Sequence, residues 1–144
     1  MPNWVMNDMV FKSDNREDLD ALLSLIVHET QKQEATFGRL KDDYDPKRED
    51  WYDWNIVNIG TKWEPTDMDV YGPEIDTKAY GPRKWQLSLV FSSAWSPPLA
   101  IMPAIAAKFP NLKFRIKFEE PGMSFRGHQW WNNGKMTKDS YTDY

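Results

Sequence analysis

Strict alternation of apolar and charged residues late in the chain is the feature that most restricts what this sequence can fold into. Eight consecutive positions alternate in this way: Leu112, Lys113, Phe114, Arg115, Ile116, Lys117, Phe118 and Glu119. Successive side chains of a strand point to opposite faces of a sheet, so the pattern predicts a strand with one buried face and one face in water. A sheet that is covered on one side only is therefore expected.

Other hydrophobic patterns predict four more strands and two helices. The strands are expected near residues 3–12, 67–75, 84–93 and 123–131, where apolar positions recur with the period of a strand. The first helix has apolar residues at helical spacing from Leu19 to Ile26. The second is expected to run from Ser96 to Pro110, and Pro103 inside it should kink it or delay its regular part.

This order of elements predicts an α+β ferredoxin-like sandwich with the topology βαββαββ. Its mainly antiparallel sheet would carry two helices on one face, with an aromatic-rich insertion after the first helix. A length of 144 residues predicts one domain over residues 1–134, with the insertion at about 31–66. Residues 135–144 are expected to form a polar C-terminal tail.

Composition excludes several classes of site. The chain has no cysteine, which rules out disulfides, thiolate nucleophiles and cysteine-bound metals. No apolar run approaches the roughly 18 residues of a membrane span, so the chain is predicted to be cytoplasmic. A net charge of −4 argues against long duplex DNA as a partner. Neither a metal nor a cofactor is expected.

Tryptophan is unusually frequent in the expected insertion. The chain has eight Trp residues, and Trp51, Trp54 and Trp63 fall between residues 31 and 66. Trp and Tyr dominate binding hot spots, so these rings and the neighbouring Lys62 are candidate binding residues. The alternative interpretation is that the rings anchor the insertion to the sheet and that Lys62 is solvated.

The expected open face of the sheet is a second candidate site. Its outward residues would be Lys113, Arg115 and Lys117 on one strand, beside Arg126, His128 and Trp130 on the next. Such a cationic patch with a stacking ring suits a nucleotide, with cations for the phosphate and a ring for the base. The alternative is a solvated face that its charges keep soluble.

Half of a catalytic motif is present near the first helix. His28-Glu29-Thr30 fits the His-x-Thr pattern of two-histidine phosphoesterases. The second copy is missing, because His128 is followed by Gln129 and Trp130. A phosphoesterase that uses His28 and His128 is therefore an alternative function, and a protein without catalytic activity is the main expectation.

Several short motifs resemble the YubB ferredoxin-like family of plasmid and phage proteins. They keep their order along residues 1 to 134 and read Met1-Pro2-Asn3-Trp4-Val5-x-Asn7, Trp51-Tyr52-Asp53-Trp54-Asn55, Gly60-Thr61-Lys62-Trp63, Ala94-Trp95-Ser96-Pro97-Pro98, Phe109-Pro110-x-Leu112 and Glu120-x-Gly122-Met123-x-Phe125-x-Gly127. Ile59 and Pro103 depart from the family pattern. The resemblance implies a ferredoxin-like fold and an origin in a mobile genetic element, and it implies no reaction.

These observations lead to one function hypothesis and its alternatives. The chain is expected to be a non-enzymatic accessory protein of a phage or plasmid that binds a host protein, such as a component of antiviral defence. The first alternative is a protein that binds or sequesters a nucleotide on the basic, aromatic sheet face. The tentative binding residues are Trp51, Trp54, Lys62, Trp63, Arg115, Arg126, His128 and Trp130.

Overall fold

The structure is a computed structural model that describes residues 3–28, 31–76 and 84–144, with His28 and residues 31–34 described by their backbone alone. Its helices and strands, in chain order, are β1 (Trp4–Ser13), α1 (Arg16–Ile26), β2 (Val27–His28), β3 (Gln31–Ala35), α2 (Trp51–Asn58), β4 (Thr66–Ile75), β5 (Trp85–Ala94), α3 (Met102–Lys108), β6 (Lys113–Glu120), β7 (Phe125–Asn132) and β8 (Lys135–Asp143). Short 3-10 turns cover Gly38–Leu40 and Leu99–Ile101.

Six strands form one antiparallel sheet in the order β4-β5-β1-β6-β7-β8. β1 therefore lies inside the sheet, between β5 and β6. The strands β2 and β3 form a separate antiparallel ribbon. The helices α1 and α3 follow β1 and β5, so each connects two strands of the main sheet across its covered side.

The expected two-helix βαββαββ topology is wrong. The part of the chain between α1 and β4 folds into the β2–β3 ribbon and a third helix, α2. The chain also continues past Asn132 into an additional strand, β8, which occupies residues 135–143. Over the residues that the structure describes, the sheet thus has six strands and three helices accompany it.

Alternation along the strands separates a covered face from an open face. Val5, Met9 and Phe11 of β1 are fully buried, whereas Met6 between them is exposed. The buried side chains join those of α1 and α3, such as Leu22 and Ile105, in one hydrophobic core. Burial on this side alone stabilises the sheet while leaving its other face in water. None of the helices in the described ranges combines the length and apolarity that a membrane crossing requires.

The turn between β7 and β8 explains how a polar segment becomes a strand. Asn133 and Gly134 both have positive φ, at 52° and 79°, and they join Asn132 to its partner Lys135. Asn-Gly is the preferred pair for a two-residue hairpin turn with these angles. Tyr141 of β8 also stacks on Phe125, with ring centroids 5.4 Å apart. Local turn geometry and this contact hold β8 against β7.

Proline determines where the last helix begins. The segment after Pro98 forms a 3-10 turn at Leu99–Ile101 before the regular helix α3 starts at Met102. Pro103 then lies in the first turn of α3, where a helix leaves N–H groups unpaired in any case. The helix therefore keeps its hydrogen bonds despite the proline.

Candidate functional site

The helix α2 presents apolar side chains to solvent. Trp51, Tyr52, Ile56 and Val57 are between 39% and 73% exposed. The rings of Trp51 and Tyr52 contact each other edge to face, with centroids 6.0 Å apart. A short helix on a folded domain usually turns its apolar side chains toward the core, so this surface is a candidate site for a partner.

Trp54 attaches the same helix to the domain. It is 6% exposed and belongs to the hydrophobic core. Its indole N–H donates a hydrogen bond to Asp43 Oδ2 at 3.2 Å, and the Arg48 guanidinium lies 5.2 Å from its ring centroid. The Tyr44 ring packs beside it, with centroids 5.9 Å apart. Trp54 thus anchors the insertion, and Trp51 three residues earlier faces solvent.

Lys62 lies between tryptophan rings. Its ammonium nitrogen is 4.6 Å from the ring centroid of Trp63 and 4.5 Å from that of Trp95. Trp4 of β1 packs on Trp63, with ring centroids 6.1 Å apart. We call these four residues the tryptophan cluster. A cation over aromatic faces is attracted by their quadrupoles, so Lys62 joins the insertion to the segment after β5, and Trp63 joins it to β1.

Hydrogen bonds reinforce the tryptophan cluster. The Asn55 side chain donates to the carbonyl of Lys62 at 3.1 Å, and the backbone N–H of Trp95 donates to the carbonyl of Asn3 at 2.8 Å. Trp95 has a positive φ of 72°, an unusual conformation for a bulky residue. The close contacts around Trp95 hold its backbone in this conformation.

The backbone of Gly60 packs closely against the backbone of Ala100. Its φ is +100°, and a Cβ at this position would lie 3.0 Å from the backbone nitrogen of Ala100. The Ser96 hydroxyl donates a hydrogen bond to the Gly60 carbonyl. The glycine thereby ends α2 and packs the insertion against the turn before α3.

The open face of the sheet contains two adjoining hollows. The larger hollow, of about 500 Å³, lies over β5, β1, β6, β7 and β8, and its lining includes Met6, Val90, Lys117, Arg126 and His128. The smaller hollow, of about 360 Å³, is lined by Val10, Lys12, Gln86, Lys113, Phe114, Arg115 and Trp130. The structure therefore places Arg115, Arg126, His128 and Trp130 on one face, as neighbours in the β6–β7 register.

Arg115 and Trp130 lie directly opposite each other across β6 and β7. The Arg115 guanidinium is 6.0 Å from the Trp130 ring centroid, and the Lys138 ammonium is 5.7 Å from it. Arg115 also donates to the backbone carbonyl of Asp8 at 3.3 Å and lies 3.8 Å from its carboxylate. The ring of Trp130 is therefore bordered by two cations.

The carboxylates near the larger hollow have partners within the chain. Glu119 accepts a hydrogen bond from the Tyr144 hydroxyl, and this bond raises the pKa of the phenol. The Arg126 guanidinium lies 5.2 Å from the Tyr144 ring centroid. Tyr144 therefore connects Glu119 to Arg126 at the rim of the larger hollow.

Residues 74–144 match the family model "Ferredoxin-like domain in Api92-like protein". The matched range includes β5 to β8 and α3, and so most of the open face. The whole chain also resembles the crystal structure of Api92 from Yersinia pseudotuberculosis, with a TM-score of 0.67 and 9% sequence identity. The alignment covers 100% of this chain and 98% of that chain. No curated protein matches the chain.

These similarities support a ferredoxin-like α+β domain. An identity of 9% shows a shared fold alone, and it carries no activity to this chain. The YubB name and the phage or plasmid origin stay predictions, because the matches are to Api92-like proteins and concern the fold.

The predicted pairing of His28 with His128 stays a prediction. His128 lies on β7 and lines the larger hollow. The backbone of His28 forms part of the β2–β3 ribbon. The side chain of His28 and the whole of Thr30 in the His-x-Thr motif lie outside the described part of the chain. Within the described ranges, no three histidine or carboxylate side chains come close enough to hold a metal ion.

Sequence reasoning missed several residues of these surfaces. Ile56 and Val57 were not recognised because the helix α2 was not predicted, although five apolar residues within 51–58 were a signal for it. Lys138 was missed because it falls in the expected tail. Trp4 and Trp95 carry the family resemblance, but no local pattern shows that both meet the segment around Lys62.

Proposed function

We propose that this chain is a non-enzymatic accessory protein of phage or plasmid origin that acts by binding a host protein through α2. The observation that carries the proposal is the exposure of Trp51, Tyr52, Ile56 and Val57 on one short helix. Contiguous exposed apolar side chains mark interaction sites, because each costs free energy in water unless a partner covers it. Two of the four are aromatic, the residue type most enriched in binding hot spots.

Charge around α2 favours a partner with a basic, amphipathic docking segment. Residues 41–53 contain six carboxylates and three cations, a net charge of −3. Asp50 and Asp53 of this set are exposed beside the apolar side chains. An apolar strip with an acidic rim is complementary to an apolar strip that basic residues flank. The host protein is therefore expected to present such a segment.

The rigid attachment of α2 supports a docking role. Trp54 is buried beneath the helix, and the tryptophan cluster with Gly60 fixes the chain that follows it. A surface that is held in place before binding loses little conformational entropy when a partner arrives. The exposed side chains of α2 are thus pre-organised for recognition.

The biological setting comes from the family resemblance alone. We propose that the chain acts in the host cytoplasm and that its partner is a component of antiviral defence. The absence of cysteine fits a reducing compartment.

The test compares two variants that place new charges on different surfaces. Ile56→Lys/Val57→Lys puts cations into the apolar strip, where they would repel a basic partner, and lysine preserves helix propensity. Met123→Lys changes an equally exposed apolar residue in the turn between β6 and β7 and serves as the control. Both variants should keep the wild-type melting temperature within a few degrees, because all three residues are exposed.

The measurement has two stages. Bacterial lysate is passed over wild type and both variants, and any protein retained in stoichiometric amount is purified and titrated against each by calorimetry. The proposal expects a protein with a basic docking segment whose affinity falls about tenfold or more for Ile56→Lys/Val57→Lys and stays unchanged for Met123→Lys. Equal affinity for all three, or no stoichiometric protein on wild type, would contradict it.

A further inference from the structure

The smaller hollow on the open face collects positive charge in an acidic protein. Lys12, Lys113 and Arg115 line it, and among the described residues of its lining there is no carboxylate. Lys12 and Lys113 lie directly opposite each other in the β1–β6 register, an arrangement in which like charges destabilise a sheet. The buried carboxylate of Asp76 offsets Lys12 at 2.9 Å. Arg115 likewise lies 3.8 Å from the carboxylate of Asp8. Three cations beside two carboxylates leave a net positive charge, which a bound anion would neutralise.

An aromatic platform adjoins these cations. Trp130 lines the same hollow and faces Arg115 across the β6–β7 pair. The ring is held on an antiparallel sheet, which fixes its distance from the guanidinium more firmly than a loop would. Aromatic side chains on an open sheet face stack on nucleobases, and neighbouring Arg and Lys side chains bind the phosphates. The hollow, at about 360 Å³, is at the lower end of the usual size range of small-molecule sites.

We infer that the smaller hollow binds a nucleobase-bearing phosphate, with the base on Trp130 and the phosphate between Lys113 and Arg115. A free nucleotide and a single-stranded nucleic acid share this chemistry. The site lies on the uncovered face of the sheet and does not involve α2. The inference therefore stands or fails independently of the protein partner proposed above.

The larger hollow could accommodate a second nucleotide of a single-stranded ligand. Along β7 the outward residues Trp130, His128 and Arg126 follow one another at intervals of two residues, or about 6.8 Å. Lys117 lies opposite His128. Of the carboxylates at this hollow, Glu119 accepts from Tyr144 and Asp8 lies 3.8 Å from Arg115. A second nucleotide of a single strand would thus meet a second set of cations.

The test is direct binding with variants of the hollow. The probes are AMP, ATP, a fluorescein-labelled hexauridylate, inorganic phosphate and a labelled 12-base-pair duplex, each titrated at low salt. Arg115→Gln removes the charge, and Trp130→Leu removes the stacking ring. Lys108→Gln is the matched control, because Lys108 is a cation on α3, outside the open face, and lies 3.3 Å from Asp42 as Arg115 lies near Asp8. Circular dichroism verifies the fold of each variant, and Lys113→Gln replaces any that unfolds.

The inference expects saturable binding of a nucleotide or of the hexauridylate that weakens about tenfold for Arg115→Gln and for Trp130→Leu. Lys108→Gln should bind like wild type, and added salt should weaken binding. Similar affinity for AMP, ATP and the hexamer would identify a nucleotide site, and much tighter binding of the hexamer would identify a single-strand site.

Four outcomes would overturn the inference. They are no binding of AMP, ATP or hexamer at millimolar concentration, affinity that survives both substitutions in the hollow, equal loss in Lys108→Gln, and phosphate or duplex bound as tightly as the nucleobase probes. The last result would show that the base contributes nothing. A loss of ligand binding with retained protein partner, or the reverse, separates this site from α2.

Discussion

Glu64 Oε1 accepts a hydrogen bond from the backbone N–H of Phe37 at 3.0 Å, and its other carboxylate oxygen accepts from the N–H of Gly38 at 3.1 Å. One side chain thereby ties the chain after α2 to the start of the first 3-10 turn. Burial raises the pKa of the Glu64 carboxyl to about 7, although the two hydrogen bonds and the charge of Arg39 favour the ionised form.

This raised pKa predicts that stability falls as the pH rises. The folded protein keeps the Glu64 proton up to about pH 7, whereas the unfolded chain loses it near its ordinary value of 4.5. The stabilisation is complete below pH 4.5 and is lost as the pH passes 7. A gap of this size corresponds to roughly 3 kcal/mol in the free energy of unfolding.

Urea unfolding at pH 5 and pH 8 measures the effect of Glu64. Glu64→Gln should make the free energy of unfolding less dependent on pH over this interval, because the amide does not titrate. Glu17→Gln is the control, since Glu17 is exposed in the first turn of α1. Equal pH dependence of wild type and Glu64→Gln would show that Glu64 titrates normally in the folded protein.

Two tryptophans three residues apart should respond differently to truncation. Trp54→Ala removes a buried anchor and is expected to lower the free energy of unfolding by about 3–5 kcal/mol. Trp51→Ala removes an exposed ring, so its cost should stay below about 1 kcal/mol. Chemical denaturation of both variants checks this. If Trp51→Ala proves as costly as Trp54→Ala, the outer side of α2 is structural.

Replacement of Gly60 should be more harmful than replacement of Gly134. Both have positive φ, but a Cβ at Gly60 would lie 3.0 Å from the Ala100 nitrogen, whereas the nearest atom at Gly134 is 3.9 Å away. Gly134→Ala is expected to cost about 1 kcal/mol from backbone strain alone. Gly60→Ala should cost about 1–3 kcal/mol more, as measured by thermal unfolding. An equal loss of stability in Gly60→Ala and Gly134→Ala would refute the close packing of Gly60 against Ala100.

Lys62 should stabilise the protein through its two rings. Lys62→Gln keeps an unbranched, polar side chain but removes the charge that lies over Trp63 and Trp95. The expected loss is about 1–2 kcal/mol, with a change in tryptophan emission. Lys47→Gln, at an exposed position of the same insertion, is the control. An unchanged denaturation midpoint for Lys62→Gln would show that the charge of Lys62 does not stabilise the tryptophan cluster.

Period-two patterns located the strands of the open face well. The alternation from Leu112 to Glu119 predicted which side chains of β6 are buried, because one face of the strand meets the core and the other meets water. The strand β8 was not predicted, since it has no apolar face. Its signal was the Asn133-Gly134 pair, whose positive φ values make a hairpin turn that brings even a polar strand into register.

The candidate surfaces were predictable only where one strand pair builds them. Arg115, Arg126, His128 and Trp130 lie on adjacent strands, so alternation placed them on a common face. The contacts of the tryptophan cluster join residues 4, 62, 63 and 95, and no spacing rule relates residues 4 and 95 to the other two. The different burial of Trp51 and Trp54 does not follow from helical spacing, because residues three apart lie on the same side of a helix. Trp54 is covered by residues 43, 44 and 48 of the preceding loop, which no spacing rule places there.

An unclosed sheet of six strands has two edges at which another chain could pair. At one edge, β4 has irregular register against β5 and contains Pro73, which has no N–H to donate. At the other, β8 carries the charges of Lys135, Lys138, Asp139 and Asp143. Bulges, proline and charge are the devices by which natural sheets avoid edge-to-edge aggregation. The protein thus leaves one face of its sheet uncovered while both edges carry features that disfavour pairing with a further chain.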